Sequence, residues 1–144
     1  MRTWRRHIRI ARSPGEVWKA VSNAGELAAW APNVEKSWVS GKLRHVVFAG
    51  GMILEEEIVT NDDELRRFQY RVIRSGFEGA EGVTEGPSHL DNLSTVDVIE
   101  DGDGALVIYS NQFTCVDDPD IEEAAVEFVK VSPFLQGLKE YLGG

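Results

Sequence analysis

Between Val34 and Cys115 the apolar residues recur at every second position, and most breaks in that pattern are too short for the chain to return in parallel. The breaks carry turn chemistry: Ser40-Gly41, Gly50-Gly51, Asn61-Asp62-Asp63 and Asp101-Gly102-Asp103-Gly104. A parallel crossover needs about a dozen residues, so the strands read at 34–40, 42–49, 52–60, 65–74, 89–100 and 104–115 must pair antiparallel with their neighbours. One connection is longer. Gly76, Gly79, Gly82 and Gly86-Pro87 mark the segment 76–87, whose length suits a functional cover.

The flanks of this run have other periods. Trp4, Ile8 and Ile10 alternate with Arg5, His7 and Arg9 and predict a first strand, with Arg6 interrupting its apolar side. Ser13-Pro14-Gly15-Glu16 then predicts a capped helix start, with Val17, Trp18 and Val21 as its buried stripe. Asn23 to Glu26 repeats the start signal, Leu27 and Trp30 face inward, and Pro32 ends a second short helix. Asp118-Pro119, with Asp120, Glu122 and Glu123, opens the closing amphipathic helix, where Ile121, Phe128, Leu135, Leu138 and Leu142 keep helical spacing. Pro133 lies inside that pattern and predicts a kink or break near Val129 to Ser132. The fold class is α+β in one domain spanning 1–144: a seven-stranded antiparallel sheet curved around a long terminal helix, with two short helices after the first strand.

Composition narrows the partners. The 144 residues carry a net charge of −9, which repels a nucleic acid duplex. The cluster Arg2, Arg5, Arg6, Arg9 and Arg12 reads as the wet face of the first strand. Cys115 is the only cysteine, so neither an intrachain disulfide nor a thiolate metal cage is available, and it reads as a small buried hydrophobe. No apolar run approaches the ~18 residues of a membrane span, and the basic N-terminal stretch lacks the apolar core of a signal peptide. A cytoplasmic protein without membrane insertion, metal or cofactor is expected, and a homodimer is left open.

Alternation also sets which side chains look inward. Met52, Leu54, Glu56 and Ile58 share one face, as do Phe68, Tyr70 and Val72. Leu90, Asn92, Ser94, Val96 and Val98 form a third inward row, and Val107, Tyr109, Asn111, Phe113 and Cys115 a fourth. The concave face is then apolar with sparse polar groups, the usual make-up of a small-molecule site. Trp30, Trp38, Phe113 and Phe128 supply an aromatic wall, and His89 would stand at the mouth. Trp18 is core. Glu56 is the sharpest candidate for chemistry: buried beside Leu54 and Ile58, its carboxyl would suit proton transfer, with Tyr70 or Asn111 holding a carbonyl oxygen. Against this, Glu55-Glu56-Glu57 is a charge run, and such runs are mostly solvated. A ligand anchor or a partner for an arginine is the plainer role for Glu56. His7 and His45 have no metal-ligand spacing, and there is no nucleophile elbow or phosphate-binding glycine loop.

Across nearly its whole length the chain resembles the START-like, or Bet v 1-like (SRPBCC), superfamily, in the branch named for polyketide cyclases and dehydrases. The resemblance is carried by Ser13-Pro14-Gly15-Glu16-Val17-Trp18, Trp30-Ala31-Pro32, the paired strands at Glu55-Glu56-Glu57 and Phe68-Gln69-Tyr70, Asp101-Gly102-Asp103-Gly104 before Tyr109, and the Leu135 to Leu142 tail. It implies a helix-grip fold with an internal cavity for a small hydrophobic ligand. Members include lipid carriers, hormone sensors and polyketide aromatases or cyclases. The first expectation is a protein that binds a lipid- or polyketide-like molecule. The second is a cyclase, aromatase or dehydratase using Glu56 and Tyr70. The third is a protein-interaction module without a ligand.

Overall fold

The computed structural model describes residues 1–77, 84–85 and 90–144, so most of the expected 76–87 cover, and His89 with it, lie outside the described residues. The chain runs β1 (Arg2–Ile10), α1 (Pro14–Ser22), a 3-10 helix (Ala24–Ala29), β2 (Val34–Ser40), β3 (Leu43–Phe48), β4 (Met52–Asp62), β5 (Arg67–Phe77), β6 (Thr84–Glu85), β7 (Leu90–Asp101), β8 (Gly104–Cys115), α2 (Pro119–Lys130) and α3 (Phe134–Leu142). Seven long strands form one antiparallel sheet in the order β1-β8-β7-β5-β4-β3-β2, and the two-residue β6 pairs with β5. This is the helix-grip arrangement: sheet, helical plug and C-terminal helices.

The two early helices differ in character. In α1, Ser13 Oγ caps the helix by accepting from the Glu16 amide at 3.2 Å and donates to the Glu16 carboxylate at 3.1 Å. Asn23 makes no side-chain cap bond, and the segment it opens is a 3-10 helix kinked at Glu26. Ser37 on β2 explains the difference. Its hydroxyl accepts from the Ala28 amide and donates to the Gly25 carbonyl, both at 2.8 Å, so tertiary bonds hold the backbone where an α-helical ladder would run.

Strand β5 starts two residues later than alternation suggests. Asp62 Oδ1 accepts from the amides of Glu64 and Leu65, each at 2.9 Å, and Arg66 takes a φ of 51°. The aspartate turn therefore consumes 63–66 before pairing begins. At the other end, the expected long helix is two segments. Its break falls at Val131 to Pro133, where proline has no amide to give the ladder.

The interior is divided along the strands. At one end, Ile10, Phe68, Val96, Val98, Ala105 and Val107 are almost wholly buried beneath Val17 and Trp18 of α1 and Leu138 of α3. Trp18 Nε1 donates to Asp63 at 2.9 Å, which fixes this plug to the β4–β5 turn. Helix α3 is held close to the 3-10 corner at Gly137. A methyl group there would lie 2.6 Å from the Trp30 carbonyl oxygen and 2.5 Å from Pro32 Cδ. Gly137→Ala is therefore expected to lower stability by about 1–3 kcal/mol through overpacking, outweighing a helix-propensity gain of about 1 kcal/mol. Urea unfolding measures it, and an unchanged or raised midpoint would mean that α3 is free to shift.

Candidate functional site

Toward the other end the inward side chains become longer, polar or absent, and a cavity of about 850 Å³ opens between the sheet and the C-terminal helices. Its walls include Val46 and Phe48 of β3, Met52 and Leu54 of β4, Phe113 of β8 and Phe134 of α3. Phe128 of α2 borders it while remaining 54 % exposed, which places this ring at the rim. Phe134 stands between Tyr109, 4.5 Å away, and Trp30, 4.7 Å away.

A belt of polar side chains crosses the sheet where the packed end meets the cavity. Cross-strand register creates it: Ser94 pairs with both Asn111 and Tyr70, Arg6 pairs with Tyr109, and Arg44 pairs with Glu56. Arg6 Nη1 donates to Asn111 Oδ1 at 2.9 Å, and Asn111 Nδ2 donates to Ser94 Oγ at 2.8 Å. The hydroxyls of Tyr70 and Tyr109 share a short hydrogen bond. Arg44 Nε donates to Glu56 Oε1 at 2.7 Å, and its guanidinium lies over the rings of Tyr70 and Phe68, 4.9 Å and 5.1 Å from their centroids.

The residues picked out by alternation take different places. Leu54, Glu56, Tyr70, Asn92, Tyr109, Asn111, Phe113 and Phe128 all border the cavity. Trp30 is buried behind Phe134, outside the lining. Trp38 is elsewhere altogether. It pairs with His45 across β2 and β3, stacks on that ring at 5.0 Å and is 47 % exposed, on the face opposite Arg44 and Val46. Its strand begins with a register shift between Val34 and Lys36, which alternation alone does not reveal. His89 lies outside the described residues.

Glu56 is 4 % exposed, and its carboxylate is committed to Arg44, itself 3 % exposed. The three consecutive glutamates each meet a separate arginine: Glu55 pairs with Arg74, Glu56 with Arg44, and Glu57 approaches Arg71 at 3.7 Å. Asn92 also has a structural task. Beyond Tyr70, β5 parts from β7, and the Asn92 amide spans the gap by donating to the Val72 carbonyl at 2.9 Å and accepting from the Val72 amide at 2.8 Å.

The first-strand arginines are not all on a wet face. Arg6 points inward: it borders the cavity, and its guanidinium lies 4.2 Å from the centre of the Tyr109 ring. Its Nε and Nη2 atoms are buried with no hydrogen-bond partner. Burial pulls this guanidinium below its ordinary pKa, partly offset by Tyr109 and Tyr70. The signal was present in the sequence, because Arg6 has the parity of Trp4, Ile8 and Ile10. Arg44 has the parity of Val46 and Phe48 in the same way. Ser75 was missed for another reason. An extra residue in β5, between the partners of Glu55 and Glu56, shifts the parity so that Ser75 pairs with inward Leu54. Among the described residues, no three His, Cys, Asp or Glu side chains gather as metal ligands.

The family described as polyketide cyclase / dehydrase and lipid transport matches residues 1–143. No curated protein matches the sequence. Among solved structures, the protein XoxI from Bacillus cereus superposes with a TM-score of 0.77 at 24 % identity, covering 97 % of this chain and 94 % of that one. A truncated norcoclaurine synthase from Thalictrum flavum gives 0.69 at 18 % identity, over 97 % and 89 % of the two chains. A START superfamily protein from Mycobacterium smegmatis gives 0.63 at 12 % identity, over 97 % and 93 %. At these identities the likeness speaks for the fold alone.

Two outcomes are expected from this geometry. Arg44→Met and Glu56→Leu should each cost about 3–5 kcal/mol in urea unfolding, because each leaves a buried group of the pair uncompensated. The double variant Arg44→Met with Glu56→Leu should cost clearly less than the sum of its parts, and additive losses would deny the coupling. The second outcome concerns alkaline pH. Burial, then Tyr109 and Glu56, hold the Tyr70 hydroxyl well above its ordinary value, with Arg44 opposing. Native Tyr70 keeps its proton where the unfolded chain loses it, so stability should fall as pH rises above about 10, by up to about 1.4 kcal/mol per pH unit. Tyr70→Phe should flatten that fall, as followed by unfolding midpoints across alkaline pH. An equally steep fall in the variant would place its cause elsewhere.

Proposed function

Because the chain belongs to the polyketide cyclase/dehydrase and lipid transport family, we propose that it is a cytoplasmic binding protein holding one small hydrophobic or aromatic molecule, lipid- or polyketide-like, between the sheet and α2. The observation that carries this reading is the cavity itself, about 850 Å³ with apolar walls and a belt of polar groups at one end. A volume of that order suits a ligand of drug or fatty-acid size, and sparse polar groups suit orientation of one end of it. Leu54, Phe113 and Phe128 would form the apolar contacts. Tyr109 and Asn111 would fix the polar end, while Asn92 would act mainly by holding the wall in shape.

The polar belt also decides the weight given to an enzymatic role. A general acid–base must exchange its proton freely, whereas the Glu56 carboxylate is held by a buried guanidinium. Carriage therefore stands ahead of a cyclase, aromatase or dehydratase working through Glu56 and Tyr70. A module that only binds other proteins would have no use for so large an apolar volume.

The test is occupancy. The neutral fluorophore N-phenyl-1-naphthylamine should bind wild-type protein saturably. Leu54→Trp, which places an indole in the cavity, should weaken that binding by at least about tenfold, or about 1.4 kcal/mol, with an unchanged circular dichroism spectrum. Native mass spectrometry of freshly purified protein should add a small-molecule mass to the wild type and not to the variant. Failure of the fluorophore to bind wild type, or equal binding to both proteins, would remove the reading.

A further inference from the structure

The inward row of β1 changes task along the strand. Ile8 and Ile10 pack into the core, and Arg6 borders the cavity. Ahead of them, Arg2 and Trp4 have the same parity but reach the roof, helix α2. Arg2 Nη1 lies 3.0 Å from Glu123 Oε2, and Lys130 Nζ stands over the Trp4 ring, 5.1 Å from its centre. Glu123 and Lys130 are about two turns apart, so both ties leave α2 along one stripe. Across the two buried residues of the helix, Glu122 and Val126, lies the stripe of Ala125, Phe128 and Val129 that borders the cavity.

Helix α2 is therefore attached with little apolar packing and by contacts that carry charge. Both side chains of the Arg2–Glu123 pair are about half exposed, and the Glu122 carboxylate lies 3.1 Å from the Met1 amine. An exposed ion pair adds little to global stability and is weakened by salt. A tie of that strength does not hold a fold together. It is, however, of the size that decides how often one element opens while the rest stays folded. The hydrogen-bond ladder stops at Pro133, so α2 can lift from β1 without unseating α3.

Resting on the binding reading above, we propose that Arg2 and Trp4 are positioning residues for the cavity: they clasp α2 through Glu123 and Lys130 and so set the rate at which a ligand enters and leaves. None of these four residues lines the cavity, so the clasp acts alike on the empty and the filled protein. Weakening it raises association and dissociation by the same factor and leaves Kd where it was. Its ionic part also makes the exchange of an uncharged ligand depend on ionic strength.

The test is stopped-flow exchange of N-phenyl-1-naphthylamine, read as both rate constants beside the equilibrium Kd. Arg2→Gln should raise both rates about two- to fivefold, with Kd changed by less than about twofold. Trp4→Leu, which removes the ring beneath Lys130, should act in the same direction. Arg5→Gln makes the same change of charge on the outward face of β1 and should leave both rates unaltered. Arg2→Glu should quicken exchange further, and adding Glu123→Arg should slow it again by restoring the pair in reverse. Wild-type exchange should quicken between about 0.01 M and 1 M salt, as the screening length falls from about 30 Å to about 3 Å, and Arg2→Gln should lose most of that response. Unchanged rates in both Arg2 variants, or faster release matched by a weaker Kd, would overturn the clasp; the second outcome marks damage to the cavity wall. If the fluorophore binds wild type and only these shifts are missing, this inference alone falls. If it does not bind wild type, the binding reading falls with it.

Discussion

The requirement that buried polar groups find partners organises this interior. Seven inward polar side chains from six strands are joined across the sheet: Arg6 bonds Asn111, Asn111 bonds Ser94, Tyr70 bonds Tyr109, and Arg44 bonds Glu56. Burying such groups unpaired would cost several kcal/mol in all, so strand register is held by these bonds as well as by the hydrophobic pattern. A slip of one residue between β7 and β8 would part Ser94 from Asn111 and turn the side chains of the slipped strand to the other face. The belt also marks where close packing stops. On its far side Val96, Val98, Val107 and Ile10 fill the space, and on its near side the same sheet borders a cavity.

Most of this architecture was legible because antiparallel strands write their two faces into alternate residues. The rows Leu90-Asn92-Ser94-Val96-Val98 and Val107-Tyr109-Asn111-Phe113 follow parity without interruption, and β7 and β8 pair residue for residue from Leu90–Cys115 to Asp101–Gly104. Parity loses its meaning where a strand carries an extra residue. The irregularities in β4, β5 and β2 account for Ser75 and separate the regular stretches from the edge where Trp38 lies. Arg6 was hidden by a different cause. Chemical likeness groups it with Arg2, Arg5, Arg9 and Arg12, although its position assigns it to the row of Ile8 and Ile10.

The helices show the limits of local signals. Ser13-Pro14-Gly15-Glu16 carries its own termination of free amides, and α1 begins where those residues require. Asn23 to Glu26 has a similar composition, but Ser37 reaches across from β2 and takes the backbone groups for itself. A hydroxyl fourteen residues downstream of Asn23 thus outweighs the cap, as tertiary bonds commonly outweigh propensity. Pro133 acts in the opposite way. Its effect needs no partner, because a ring without an amide proton interrupts a ladder wherever it stands.

That interruption gives the C-terminal helix two mechanical halves. The part after Pro133 is seated: Leu135 and Leu138 are buried, and Gly137 sits against the Trp30–Pro32 backbone with no room for a methyl group. The part before it has shallower roots, with only Glu122 and Val126 buried, and it carries Phe128 beside the cavity. Any widening that admits a guest is therefore least costly as a swing of the forward half about the proline joint, with the rear half as the fixed post.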